Sequence, residues 1–215
     1  VIIDISSVSG GGATESGSQQ ETVTITNDEG APTVSLSVDS NTVSEGDGVG
    51  ARTVTVTLSN TASDNVTVGL STSGTTTGGG VDYTLNSNSL LIAAGSTTAS
   101  TTLDISEDLL IEGTETIIVD ISSVTNSIGI TENGVQTETI NLTDNEAGPT
   151  VSISSSSPIA ENGGVSTVTA TMSAAAAQST TINLLFSGTA DNGTDYLQSA
   201  SSITIAAGNT SGSVT

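Results

Sequence analysis

The sequence has no cysteine, histidine, lysine or tryptophan, and each absence excludes a class of function. Without cysteine there is no disulfide or thiolate chemistry, and zinc and copper lose their preferred ligands when histidine is also missing. Without histidine, cysteine and lysine the usual pairs of nucleophile and base cannot form, so we do not expect an enzyme. The single base, Arg52, cannot neutralise a phosphate backbone or an anionic membrane surface, so neither is expected as a partner.

Acidic residues dominate the charged side chains that remain. Twenty-three Asp and Glu give a net charge of −22, while Val, Ile, Leu, Thr, Ser and Gly make up much of the chain. Such a polyanion attracts cations or stays soluble in salt. The apolar residues are aliphatic and often β-branched, which is typical of strands separated by turns.

Internal repetition is the clearest organisational signal, with a period of about 115 residues. Val1–Val8 is matched by Ile117–Val124, and Glu21–Val34 is matched by Glu138–Val151. Ile92-Ala93-Ala94-Gly95 returns as Ile205-Ala206-Ala207-Gly208. The repeats predict three segments: the last strands of one domain at 1–31, a complete domain at 32–148 and the first strands of a third at 149–215. We therefore expect a window of a longer repeat protein.

Within the complete repeat, apolar residues alternate with Ser and Thr at a period of two, which predicts strands with one buried face. Val34, Leu36 and Val38 show the pattern, and either Leu90 or Leu91 continues it with Ile92. About seven short strands in such a repeat predict an all-β, immunoglobulin-like sandwich. The connections at Ala31-Pro32 and Ala147-Gly148-Pro149 are so short that we expect consecutive sandwiches to touch and form a semi-rigid rod.

The acidic residues of the complete repeat concentrate at loops and strand ends. In a sandwich of this strand order those loops lie at one pole, so eight carboxylates would crowd together there. Like charges at such spacing repel or take up protons unless a cation lies among them. Calcium is the expected cation because it accepts six to eight oxygens in irregular geometry. The alternative is a solvated, solubilising face, which the recurrence of the acids in separate repeats disfavours.

Several motifs together resemble the Calx-beta domain, a family named for regulatory calcium-binding domains of sodium–calcium exchangers and common in large bacterial surface proteins. They are Val43-Ser44-Glu45-Gly46, Val81-Asp82-Tyr83, Ile92-Ala93-Ala94-Gly95, Ile105-Ser106-Glu107-Asp108, Glu112-Gly113-Thr114-Glu115-Thr116 and the closing strand Thr139–Asp144. Each motif alone is weak, but the set spans essentially the whole sequence and is specific.

The resemblance implies Ca²⁺ as the cofactor and supplies a set of metal ligands. In the complete repeat they are Glu45, Asp82, Glu107, Asp108, Glu112, Glu115, Asp144, Asn145 and Glu146. The first segment contributes Asp28 and Glu29, and the third contributes Glu161 and Asp195. Two residues depart from the family pattern: Glu107 stands where Asp is common, and Asn145 replaces a carboxylate. We therefore expect about one to three ions rather than a full cluster.

Three functions follow from these features. The first is a calcium-binding structural or adhesive module in a semi-rigid extracellular stalk, whose partners are neighbouring repeats and an unidentified surface ligand. The second is a filament subunit, in which the first strands of one copy complete the third sandwich of a like subunit by strand addition. The third is a calcium-sensing regulatory domain. A secreted, cell-surface location fits the first two, and no segment of the sequence is expected to insert into a membrane.

Overall fold

The computed structural model describes residues 1–26, 28–76, 82–160 and 162–215. The chain divides into two compact units, Val1–Ala31 and Pro32–Thr215, and its regular structure is β-strand apart from one short 3-10 helix, Glu45–Asp47. None of the described residues belongs to a helix that is long and apolar enough to cross a membrane. The predicted all-β class is confirmed.

Ten strands between Thr33 and Thr143 form a sandwich of two five-stranded sheets. Its strands are β3 (Thr33–Val38), β4 (Thr42–Ser44), β5 (Arg52–Leu58), β6 (Val66–Gly74), β7 (Tyr83–Leu85), β8 (Ser89–Ile92), β9 (Thr98–Ile105), β10 (Glu115–Thr125), β11 (Thr131–Glu132) and β12 (Thr137–Thr143). One sheet has the order β4-β12-β10-β6-β8, and the other has the order β11-β3-β5-β9-β7. These ten strands exceed the predicted seven because β4, β7 and β11 are edge strands of two or three residues, too short to show a period.

The core of this sandwich consists of the apolar members of the alternating pattern. Val34, Val54, Val66 and Ile117 are fully buried between the sheets, while the Ser and Thr residues between apolar positions face outward or lie half-buried. Leu90 is buried and Leu91 is 58% exposed, which settles the register of β8. The aliphatic core therefore follows directly from the period-two sequence, as expected for strands with one buried face.

The third repeat reproduces the same pairings with fewer strands. Its strands are β13 (Val151–Ser155), β14 (Val168–Met172), β15 (Thr180–Asn183), β16 (Ser202–Ile205) and β17 (Ser211–Val214). They form the sheets β13-β14-β17 and β15-β16. Val151 pairs with Met172 as Val34 pairs with Leu58 in the complete sandwich, so the repeated sequence specifies the same register twice.

The first unit contains a hairpin of β1 (Ile2–Asp4) and β2 (Gln20–Thr22). Ile2 pairs with Thr22, and Ile3 pairs with Glu21. The corresponding residues of β10 and β12 pair identically, Ile118 with Thr139 and Val119 with Glu138. The closing hairpin of a repeat therefore has its own sequence-encoded register.

Candidate metal centre

The pairing of β4 with β12 creates the most densely acidic point of the complete sandwich. The two strands run parallel, with Thr143 opposite Ser44, so the next residue of each strand leaves the sheet beside the other. These residues are Glu45, which opens the short 3-10 helix, and Asp144. The backbone amide of Ser44 donates to the Asp47 carboxylate at 3.1 Å, which fixes the turn that carries Glu45.

Three carboxylates converge at this point. Glu45, Asp144 and Glu146 each offer an oxygen, and the three oxygens lie within 4.8 Å of one another. Glu45 is only 4% exposed, and Asp144 and Glu146 are half-buried. Within the described part of the chain, one buried oxygen of Glu45 and one of Glu146 accept no hydrogen bond. Buried polar atoms without a partner are rare in native proteins, so this trio has unused coordinating capacity.

Burial and mutual repulsion change how these carboxyl groups ionise. Removal from water, followed by the nearby charges of Asp144 and Glu112, raises the pKa of Glu45 to about 7. A side-chain hydrogen bond with Asp144, followed by burial and the charge of Asp144, raises the pKa of Glu146. Burial opposes ionisation of Asp144, but hydrogen bonds from Glu146 and from nearby backbone amides outweigh it and hold its pKa below the ordinary value. The trio therefore binds a proton more readily than separate, exposed carboxylates do, and a cation would compete with that proton.

A second acidic group adjoins the trio. The backbone amide of Glu112 donates to Asp144 at 2.9 Å, which brings the long loop between β9 and β10 onto the site. Burial, and then the charges of Glu115 and Asp82, raise the pKa of Glu112; burial and Asp82 raise that of Glu115. Asp82 is 9% exposed, and its carbonyl oxygen accepts from the amide of Ser106 at 2.8 Å. The loop and the strand ends therefore form one acidic pole.

The remaining predicted ligands of the complete repeat lie at the rim of this pole. Asp108 is exposed and contributes to the raised pKa of both Glu45 and Glu112. Glu107 and Asn145 are exposed and contact each other, because the Asn145 amide donates to both Glu107 oxygens at 3.1 and 3.3 Å. The two residues that depart from the family pattern are therefore direct partners.

Predicted ligands in the other segments show no comparable cluster among the described residues. Asp28 and Glu29 are exposed in the first unit. Asp195 is exposed in the third repeat, and its carboxylate accepts from the backbone amide of Asp191 at 2.8 Å. Glu161 lies outside the described residues.

Residue-by-residue reading of the sequence missed the role of Ile111. Its backbone amide donates to Ala175 at 3.1 Å, and its carbonyl accepts from Ala177 at 2.9 Å, so it forms a parallel bridge with Ala176 of the third repeat. Ile111 immediately precedes Glu112, whose amide binds Asp144. The apolar run Leu109-Leu110-Ile111 inside an acidic loop is the sequence signal that could have indicated this contact.

The donor set suits a hard divalent cation. All the side chains of the pole offer oxygen, and Arg52, the single base in the sequence, forms an ion pair with Asp47 at 3.2 Å. Carboxylate oxygens in an irregular, partly buried arrangement match the coordination that calcium accepts, whereas magnesium demands a near-ideal octahedron. The partnerless oxygens of Glu45 and Glu146 fit such an ion.

Comparison with known proteins identifies similar sequences and folds. The Calx-beta domain family model matches residues 26–146 and again residues 144–215. No curated protein matches the sequence.

Among solved structures, the apo form of the Calx CBD1 domain is similar, with a TM-score of 0.44 and 17% identity over 53% of this chain and 98% of that one. CBD12 from CALX1.2 has a TM-score of 0.45 and 15% identity over 84% of this chain and 74% of that one. A two-domain protein of unknown function from Bacteroides fragilis has a TM-score of 0.38 and 8% identity, over 71% of this chain and 68% of that one.

Proposed function

Because this chain belongs to the Calx-beta domain family, we propose that its acidic pole binds calcium and that the bound ion stiffens the connection to the next sandwich. The observation that carries the proposal is the convergence of Glu45, Asp144 and Glu146 within 4.8 Å, with two buried oxygens that accept no hydrogen bond from the described residues. Burial, and then repulsion from nearby carboxylates, raises the pKa of Glu45. A divalent ion would bind both partnerless oxygens and offset that repulsion.

The binding free energy expected for such an ion suits a structural module in calcium-rich surroundings. Extracellular calcium modules often bind with dissociation constants on the order of 10⁻⁴–10⁻³ M. Millimolar calcium would then stabilise each occupied sandwich by about 1–2 kcal/mol through mass action. A secreted stalk or adhesive fibre is a role in which a site of such affinity would be filled.

The contact at Ile111 supports a mechanical role for the ion. The loop that carries Glu112 is held to Asp144 on one side and, through the Ile111–Ala176 bridge, to the third repeat on the other. Ordering this loop with a cation lowers the entropic cost of forming the bridge. Calcium occupancy and the rigidity of the junction are thereby coupled, because Ile111, which forms the bridge, is followed directly by Glu112, which binds Asp144.

Electron paramagnetic resonance distances test the proposal directly. Since the chain has no native cysteine, Leu91→Cys and Leu185→Cys place labels at two exposed positions, one in each sandwich. We expect calcium to narrow the distance distribution and a chelator to broaden it. Asp144→Asn should abolish the response, and Asp195→Asn, the matched control, should retain it. An unchanged distribution, together with an unchanged melting temperature, would refute the stalk mechanism.

A second candidate function is assembly by strand complementation between like subunits. The first-unit hairpin has the register of β10–β12 and exposes Ile2, Ile3 and Val23, with 64%, 56% and 48% of their surfaces accessible. In the third repeat, β15 pairs with β16 on one side, and its other edge has no strand partner among the described residues. An edge of that kind accepts a strand from a second copy.

Analytical ultracentrifugation distinguishes the two candidates. Complementation predicts concentration-dependent oligomers of the 215-residue chain, which Ile3→Asp should abolish by placing a charge on the exposed apolar hairpin. A monomer at high concentration would exclude assembly and leave the calcium-stiffened module as the function.

A further inference from the structure

Glu107 and Asn145 form a closed pair at the rim of the acidic pole. Both Glu107 oxygens accept from the same amide nitrogen of Asn145. Glu107 also contributes to the raised pKa of Glu146, so the pair lies close enough to the trio to belong to the same electrostatic site. An amide in this position supplies to Glu107 the partial positive charge that a cation would supply elsewhere in the pole.

The backbone beneath the pair is built to fit it. A methyl group on Gly46 would lie 2.9 Å from the Asn145 amide nitrogen and 3.6 Å from a Glu107 oxygen, so the two side chains pack directly over this glycine. The corresponding position of the third repeat is Asn162. Close packing over a residue without a side chain holds the amide against the carboxylate and limits the space for an ion between them.

We propose that Asn145 acts as a built-in substitute for a cation at Glu107 and thereby sets the number of calcium ions that the pole binds. Glu45, Asp144 and Glu146 bind an ion, whereas the Glu107 end binds none. The inference rests on the proposed calcium function and specifies its stoichiometry. A carboxylate in place of the amide would face Glu107 with a second negative charge, and this pair of like charges would need a cation.

Isothermal titration of the full chain with calcium chloride tests the inference. Asn145→Asp should raise the number of bound ions by one, and Asn133→Asp, which adds the same charge in the exposed loop between β11 and β12, should leave it unchanged. Glu107→Gln in the native background should change calcium affinity by less than about threefold, because Glu107 is not a ligand. Combined with Asn145→Asp, it should eliminate the added ion.

The possible failures separate this inference from the function on which it rests. If Asn145→Asp tightens binding without adding an ion, Asn145 does not set the number of ions and the inference is overturned. If Glu107→Gln removes an ion from the native chain, Glu107 is an ordinary ligand and the inference is overturned as well. If the native chain binds no calcium, the proposed function itself fails. Crystallography of Asn145→Asp with calcium would locate the added ion between residues 107 and 145.

Discussion

The complete sandwich and the third repeat share a strand pattern but differ in what that pattern buries. Among the described residues, 21 apolar side chains are buried in the core of the complete sandwich and four in that of the third repeat. Asp82 is 9% exposed, and its counterpart Asp195 is exposed. The pairing registers agree, but the complete sandwich also has β4, β7, β11 and the hairpin β10–β12. The hairpin adds buried residues such as Ile117 to the core, and β4 and β12 lead directly to Glu45 and Asp144.

Two equivalent glycines provide the largest expected contrast. Gly74 and Gly188 both have positive φ, +129° and +135°, but a methyl group on Gly74 would lie 2.0 Å from the Thr116 carbonyl oxygen, while Gly188 has nothing within 4 Å. Gly74→Ala should cost about 3–5 kcal/mol from backbone strain plus displacement of β10. Gly188→Ala should cost only about 1–2 kcal/mol from strain.

Urea unfolding measures this contrast because each sandwich has one tyrosine. Tyr83 reports the complete sandwich and Tyr196 the third repeat, and each signal is isolated by replacing the other tyrosine with Phe. Equal losses from the two glycine substitutions would show that β10 does not pack on Gly74 as described.

The pH dependence of the calcium-free protein is the next largest effect. The pKa of Glu45 is raised to about 7 in the folded state, so between its unfolded value of 4.5 and 7 the folded state binds the extra proton. Stability from this group is therefore complete below about pH 4.5 and is lost as the pH rises through 7, by at most about 3 kcal/mol. The raised pKa values of Glu112, Glu115 and Glu146 act in the same direction.

Unfolding in chelator between about pH 5 and 8, followed at Tyr83, checks this sign. Glu45→Gln should flatten the profile and stabilise the calcium-free protein at the alkaline end, whereas Asp39→Asn, at an exposed position, should leave the slope unchanged. Calcium should suppress the slope by displacing the proton. A calcium-free protein that gains stability as the pH rises through this range would contradict the burial of Glu45.

The next smaller effect is the difference between the two sandwiches in the stability that each gains from calcium. We expect about 1–2 kcal/mol of added stability for the Tyr83 transition and a smaller gain for the Tyr196 transition, which receives only what the Ile111–Ala176 bridge transmits. Asp144→Asn should abolish the gain, while Asp195→Asn should preserve it because Asp195 is exposed. Thermal unfolding with and without calcium provides the measurement, and an equal gain at both tyrosines would mean that the closing hairpin is dispensable for binding.

The smallest expected effect concerns Gly46. Gly46→Ala should push the Asn145 amide away from Glu107 and cost about 0.5–1 kcal/mol, the value of one hydrogen bond. Asn162→Ala at the equivalent position of the third repeat is the matched control and should change stability less. Unfolding followed at Tyr83 measures Gly46→Ala, and unfolding followed at Tyr196 measures the control. A neutral Gly46→Ala would argue against tight packing over this residue.

Much of the fold was predictable because burial in a sandwich imposes a period of two on the sequence. The alternating pattern alone predicts Val34, Val54 and Ile117 as core residues, and all three are fully buried. The edge strands β4 and β11 were not predicted, because two or three residues are too few to establish a period. The sequence did not decide between Leu90 and Leu91 as the buried residue of β8, because both are apolar.

The candidate site was predictable as a composition and a set of loops but not as an arrangement. The long-loop and closing-strand acids do meet at one pole, yet only Glu45, Asp144 and Glu146 converge tightly in the described structure. Their grouping depends on the parallel pairing of β4 with β12, which joins residues about 100 positions apart in the chain. The spacing of residues along the sequence does not predict a contact between residues so far apart in the chain.

The sequence by itself determined the aliphatic β-architecture, the repeated registers and the excess of carboxylate oxygens, because these follow from local periodicity and residue chemistry. Only the tertiary structure decided which carboxylates are removed from water and which of their oxygens lack a hydrogen-bond partner. It also decided the pairing of Asn145 with Glu107 and the contact of Ile111 with the third repeat. The physical reason is that desolvation depends on the neighbours of a side chain in space, and those neighbours come from distant parts of the chain.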